Sequence, residues 1–180
     1  MSEVELLNKY ELNNIIEKIV KYVINTINKE NNIDSVAVIG IKTRGAILAD
    51  RIKNITKRDF NIELDTGYID ITLYRDDFTE LTKLPVMHQT EIDFDVDGRK
   101  IILVDDVIFT GRTVRSALDA IIDLGRPKKI YLAVIVDKNH RELPIQPDFT
   151  GKFFKTDIND IINVKLEEID SIDSVTLSKR

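Results

Sequence analysis

Between Lys100 and Val136 the chain runs apolar strand, amphipathic helix, apolar strand, and that order leaves few architectures open. Ile101-Ile102-Leu103-Val104 is a short unbroken apolar run, the pattern of a strand covered on both faces. Val114, Ala117, Leu118, Ile121 and Ile122 then recur at helical spacing, and Gly125 with Pro127 just beyond marks the stop. Ile130 to Val136 is apolar again. Two buried strands joined through a helix need a crossover connection, so they lie parallel. The sequence therefore predicts an α/β fold, a parallel sheet with helices on both faces.

The flanking segments fit the same plan. Leu12, Ile15, Ile16, Ile19, Val20, Val23, Ile24 and Ile27 form the apolar stripe of a long opening helix. Ser35 to Gly40 reads as a buried strand and Gly45 to about Lys57 as the helix that follows it. Asn61 to Asp70 looks extended. From Tyr74 to Asp97 there is no period, many charges and Pro85, which predicts a long irregular loop of the kind that is more often functional than accidental. Beyond Pro147 the pattern breaks into short mixed segments around Phe153, Val164-Lys165-Leu166 and Val175-Thr176-Leu177, read as edge strands or a small hood. The expectation is one domain over residues 1–180, with a flexible loop at about 74–97 and a C-terminal extension at about 157–180.

Composition removes several functional classes. Hydrophobic residues make up 43% and charged residues 32%, so the chain has a core to build. Twenty-six Lys and Arg against thirty-one Asp and Glu leave a net charge of −5, which excludes a global positive field for nucleic acid or anionic lipid but allows a local basic face. Without cysteine there is no disulfide framework and no thiolate nucleophile, and with only His88 and His140 any metal would be held by oxygens. No apolar run approaches the roughly 18 to 20 residues of a membrane span. The opening Met1-Ser2-Glu3-Val4-Glu5 is no signal peptide, so the expected location is the cytoplasm.

The chemistry is concentrated in Ile101 to Thr113. Asp105 and Asp106 stand at the carboxyl end of a buried strand, where open parallel sheets bind ligands. The turn Thr110-Gly111-Arg112-Thr113 then opens a helix, so its backbone N–H groups and hydroxyls can wrap a phosphate at the positive end of the helix dipole. The two carboxylates suit a vicinal diol or Mg²⁺. Taken alone, each half is an ordinary strand end or helix start; together they fit a sugar bearing a phosphate and a free diol. No Gly-x-x-x-x-Gly-Lys-Ser/Thr or Gly-x-Gly-x-x-Gly run is present, which disfavours an ATPase or a dinucleotide enzyme.

This stretch resembles the phosphoribosyl-diphosphate-binding motif of the type I phosphoribosyltransferases. Gly40-Ile41-Lys42-Thr43-Arg44-Gly45, Asp70 to Asp77, Asp106 to Arg115 and His140-Arg141-Glu142-Leu143-Pro144-Ile145 resemble, in order and spacing, the bacterial family of pyrimidine operon attenuation regulators that are also uracil phosphoribosyltransferases. The likeness runs from the first helix to about Thr156. It implies that Thr43 and Arg44 hold diphosphate, that Arg75 in the Tyr74–Asp77 loop joins them on closure, and that Asp105 and Asp106 hold the ribose diol. Thr110, Gly111, Arg112 and Thr113 would hold the 5′-phosphate, and Val107, Ile108 and Phe109 would line the same substrate site. Uracil would be read by main-chain groups near Val136, Asp137 and Lys138. Phe109 stands where purine-salvage relatives carry an acid, which points away from hypoxanthine and guanine. The resemblance implies Mg²⁺ accompanying 5-phosphoribosyl 1-diphosphate, held mainly by the diphosphate, and a homodimer or homotetramer.

It also implies binding of pyrimidine-operon leader mRNA, strengthened by UMP or UTP, that promotes transcription termination. Lys18, Lys21, His140, Arg141, Lys152 and Thr156 are the candidate RNA contacts. Glu17 and Gln146 depart from the family, which has an uncharged hydroxyl residue at the first position and commonly Arg at the second. Two other readings stay open beside the bifunctional one. The first is a salvage transferase without RNA binding, and the second is a nucleotide sensor of the same fold without turnover.

Overall fold

The computed structural model describes residues 3–30, 32–71 and 90–179. The chain starts with strand β1 (Glu3–Leu7) and the long helix α1 (Lys9–Glu30), followed by β2 (Val36–Ile41), α2 (Arg44–Phe60) and β3 (Asp65–Ile69). After the segment outside the description come β4 (Lys100–Ile108), α3 (Arg112–Leu124), β5 (Lys129–Asp137) and β6 (Phe149–Phe153). The chain closes with β7 (Ile161–Lys165), the four-residue α4 (Glu167–Asp170) and β8 (Ser174–Ser178).

Five strands form one parallel sheet in the order β3-β2-β4-β5-β6. The alternation of side chains along each strand divides the core in two. On one face Val36, Val38, Ile102, Val104 and Ile135 pack under α1 and α2 through Ile16, Ile19, Leu48 and Ile52. On the other face Ala37, Ile39, Ile101, Leu103 and Val134 receive Val114, Ala117 and Ile121 of α3. Helices on both faces bury every central strand, as the unbroken apolar runs require.

β6 is the edge strand expected near Phe153. The last two segments fold away from this sheet: β7 and β8 join β1 in a three-stranded antiparallel sheet of order β1-β8-β7. Val164, Leu166 and Val175 bury against the α1–α2 side of the core. β1 was not foreseen; it pairs Glu3 with Ser178 at the far end of the chain.

Most of the loop expected at 74–97 lies outside the described residues. Residues 72–89, Tyr74 and Arg75 among them, lie outside the described residues. From Glu91 onward the chain is tied down: Glu91 exchanges backbone hydrogen bonds of 2.8 Å with Tyr68, and Val96 is buried in the core. β4 also extends beyond the expected end at Asp105 to Ile108, so both acids lie within its last turns of ladder, where Asp105 pairs with Val134 and Val107 with Val136.

Candidate active site

The chain leaves β2 toward β3 on one side, and β4 returns on the other side of β2. The loops at the carboxyl ends of these two strands therefore diverge and leave a crevice between them, the place where parallel sheets bind ligands. A cleft of about 340 Å³ opens there, lined by Lys42, Thr43, Arg44, Asp70, Asp105, Asp106, Val107 and Thr113. The lining joins cations from one loop to carboxylates from the other, as a phosphorylated sugar requires.

Asp105 is buried and accepts the Asp106 N–H at 2.9 Å. Burial raises its carboxyl well above the ordinary range, and the charge of Asp106 pushes the same way. Asp106 is half-buried at the cleft. Burial raises it less, because its hydrogen bond to Asp105 and the charge of Arg44 act in the opposite direction. Neighbouring carboxylates thus hold protons with different ease, the more exposed one being better placed to carry charge toward a ligand. Among the described residues no group of three or more His, Asp or Glu could hold a metal ion alone. Two carboxylates facing an open cleft suit Mg²⁺, which keeps one or two carboxylates and completes its shell with substrate oxygens.

Beyond β4 the turn is built around Gly111, whose φ of +92° is open to glycine at little cost. Thr110 Oγ1 accepts the Arg112 N–H at 3.3 Å, and the Thr110 carbonyl accepts the N–H groups of Glu142 at 3.0 Å and Leu143 at 3.1 Å. Arg112 Nε meets Glu142 Oε2 at 2.7 Å. Helix α3 starts there with its N-terminal end toward the cleft, where Thr113 contributes to the lining.

The residues expected to read the base form a second cluster at the ends of β4 and β5. Lys138 Nζ lies 4.1 Å from the centroid of the Phe109 ring, and the His140 ring stands edge-on to it at 5.9 Å. Burial lowers the Lys138 ammonium from its usual value, and the ammonium donates to the carbonyls of Ile158, at 3.1 Å, and Asp160. Two main-chain groups here already have partners in the chain. The Lys138 N–H donates to Ile108 O at 3.0 Å, and the Asp137 carbonyl accepts the Phe154 N–H at 3.0 Å.

Arg44, the first residue of α2, donates through Nη2 to both oxygens of Asp170, at 3.1 and 3.2 Å. Its Nε is buried without a hydrogen-bond partner among the described residues. The Lys42–Thr43 peptide bond before it is cis. Lys42 Nζ donates to Glu91 Oε1 at 2.6 Å. Sequence reasoning missed Asp170 and Glu91; only pairing across 126 and 49 residues brings them to the loop, and no local pattern marks them.

The candidate RNA contacts do not share one environment. Lys18 and Lys21 are exposed on α1, and Lys152 is exposed on β6. His140 Nε2 is 2.8 Å from the Thr156 carbonyl, and Thr156 Oγ1 is buried without a partner among the described residues. Arg141 is different from a surface cation: its side chain is 11% exposed, with Nε on Ile145 O at 2.8 Å, Nη1 on Phe109 O at 2.9 Å and Nη2 on Asp137 Oδ2 at 2.6 Å. The guanidinium knits the loop after β5 to the end of β4, which a solvated contact residue would not do.

Sheet order, crevice and paired acids together define a phosphoribosyltransferase-type domain, and the family model described as "Phosphoribosyl transferase domain" matches residues 7–169. The chain is 47% identical over 173 residues to the "Bifunctional protein PyrR" of Thermus aquaticus, covering 96% of this chain and 94% of that protein. It is 50% identical to the protein of the same name from Clostridioides difficile over 153 residues, 85% of this chain and 86% of that one. At that identity over most of its length, the chain belongs to the PyrR family of phosphoribosyl transferase domain proteins. Among solved structures the fold is similar to the hypoxanthine phosphoribosyltransferase of Trypanosoma cruzi, with TM-score 0.71 and 14% identity over 96% of this chain and 94% of that one.

Proposed function

We propose that the protein transfers a phosphoribosyl group from 5-phosphoribosyl 1-diphosphate to uracil, forming UMP and diphosphate. The observation that carries this reading is the cleft that Lys42, Thr43 and Arg44 line from one side and Asp105, Asp106 and Thr113 from the other. A bond forms between N1 of uracil and C1 of the ribose as the bond from C1 to the diphosphate oxygen breaks, through an oxocarbenium-like state, and the N1 proton passes to the departing diphosphate. Arg44 stabilises the charge gathering on the leaving diphosphate, with Arg75 as a second cation that lies outside the described residues. Asp105 and Asp106 hold the two ribose hydroxyls, and their negative field favours the positively charged ring. The turn Thr110–Thr113 with the start of α3 holds the 5′-phosphate, and Val107, Ile108 and Phe109 place the ring beneath it. Mg²⁺, when bound with the substrate, neutralises diphosphate charge. Most of the rate then comes from position and electrostatics rather than covalent chemistry.

Phe109, Lys138 and the segment from Val136 to Asp137 surround the place for the base, and an aromatic at residue 109 supplies no acid for a purine nitrogen. The test is release of diphosphate from Mg²⁺ and phosphoribosyl diphosphate, with and without uracil. Uracil-dependent release that disappears in Asp106→Ala supports the reading, and no release in any mixture sinks it.

We propose in addition that the protein binds pyrimidine-operon leader mRNA, more tightly with UMP or UTP in the cleft, and so regulates pyrimidine biosynthesis by transcription attenuation. The relatives' name, bifunctional, supports a second activity. Lys18, Lys21 and Lys152 supply exposed cations. Product and effector then share one site, which couples RNA affinity to nucleotide supply. Binding of a leader hairpin should weaken linearly in the logarithm of salt concentration. A hairpin bound no better than an unrelated RNA leaves the protein a salvage transferase. Among the described residues no helix is long and apolar enough to cross a membrane; the reading places the protein in the cytoplasm, assembled as a dimer or tetramer.

A further inference from the structure

Each carboxylate of the four-residue helix α4 reaches a cation on the body of the protein, and one of those cations lines the cleft. Glu167 meets Lys9 at 2.6 Å and Glu168 meets Arg51 at 2.6 Å. Both pairs tie the small sheet to α1 and α2 without touching the cleft lining. The third carboxylate, Asp170, holds Arg44.

We propose that Asp170 is the positioning residue of the diphosphate-binding arginine, a role that rests on the transferase reading above. An arginine side chain has many rotamers open to it, and a free Arg44 would lose that freedom on every binding event. Asp170 removes most of that freedom beforehand. Its own carboxylate is fixed, since Oδ2 also accepts the Leu166 N–H at 2.9 Å and the Asp170 N–H donates to Leu166 O at 2.7 Å. Both oxygens grip one nitrogen, Nη2, so the remaining donors of the guanidinium are not committed to Asp170. Nε has no partner among the described residues.

Asp170 also keeps Arg44 from a competing partner. Asp106 lies within reach of Arg44's charge. An Arg44 released from Asp170 has that carboxylate as its alternative, and pairing there would withdraw both the diphosphate cation and the diol carboxylate from substrate. The small sheet, through α4, thereby completes a site built on the large one.

The test is calorimetric titration of inorganic diphosphate with Mg²⁺ into the full-length protein, Asp170→Asn and Glu168→Gln. Asn keeps the shape and an acceptor for the Leu166 N–H but loses the charge that holds Arg44. Asp170→Asn should bind diphosphate about tenfold more weakly. Glu168→Gln, which loosens α4 at Arg51 only, should stay within about twofold of wild type. In turnover, Asp170→Asn should raise KM for phosphoribosyl diphosphate and leave KM for uracil unchanged. Unchanged or tighter diphosphate binding in Asp170→Asn overturns the proposal, and so does equal weakening in Glu168→Gln, which would make α4 an attachment only. Wild-type protein that fails to bind diphosphate overturns the transferase reading itself, and the Asp170 role with it.

Discussion

Gly45 stands so close to Val104 that a β-carbon on it would lie 2.5 Å from the Val104 carbonyl oxygen. The start of α2, with Arg44 beside it, is therefore pressed directly onto the strand that carries Asp105. The distance between cationic loop and acidic strand end is set by the absence of one side chain.

Gly45→Ala should accordingly separate the two halves of the cleft. Backbone has to move, because the obstructing atom belongs to β4 and not to a side chain that can turn aside. The expected cost is about 1–3 kcal/mol, a fall in Tm of roughly 3–10 °C, together with weaker diphosphate binding. Thermal melting and titration of the same preparation check both; unchanged values contradict the close contact.

Asp105 should oppose stability at neutral pH. Burial raises its native carboxyl above the unfolded value, so in the interval between the two the folded chain binds more protons than the unfolded one. The stability this group contributes is complete below the ordinary carboxylate value of about 3.9 and is lost as pH climbs through the raised native value. Asp105→Asn removes that titration while keeping an oxygen for the Asp106 N–H. The variant should melt above wild type at pH 8, with the difference closing toward about pH 4, and should lose turnover. A gap independent of pH would show that Asp105 is not raised.

Arg141 should behave as a structural residue. Its removal leaves the Asp137 carboxylate, 7% exposed, without its cation, and breaking a buried pair of this kind costs about 3 kcal/mol. Lys18→Ala and Lys21→Ala, on the open face of α1, should each change stability by less than about 0.5 kcal/mol. Any effect of the lysines on RNA binding can then be read directly. RNA affinity lost in Arg141→Ala at unchanged Tm would show that the hydrogen bonds around Arg141 do not hold the loop.

The contrast between these residues shows what a sequence displays and what it hides. Ile101–Val104 and Ile130–Val136 are unbroken apolar runs, so the central strands, their parallel sense and the position of Asp105 and Asp106 near a strand end could be read without coordinates. β1 could not. It is a five-residue strand with two glutamates, and its pairing with β8 joins the two ends of the chain. The two acids also belong to the ladder of β4, although aspartate is a poor strand former; pairing with β5 outweighs local preference. Arg141 is a candidate RNA contact by resemblance, and only the fold brings Phe109 O, Asp137 and Ile145 O around it. Asp170 was hidden for the same reason, being one acid among several in Glu167-Glu168-Ile169-Asp170.

The most direct measurement is the identity of the nucleotide formed when the protein is given Mg²⁺, phosphoribosyl diphosphate and equal amounts of uracil and hypoxanthine. The account predicts UMP and diphosphate in equal amounts, no IMP, and neither product from Asp106→Ala. IMP in place of UMP, or no nucleotide from wild-type protein, would contradict it.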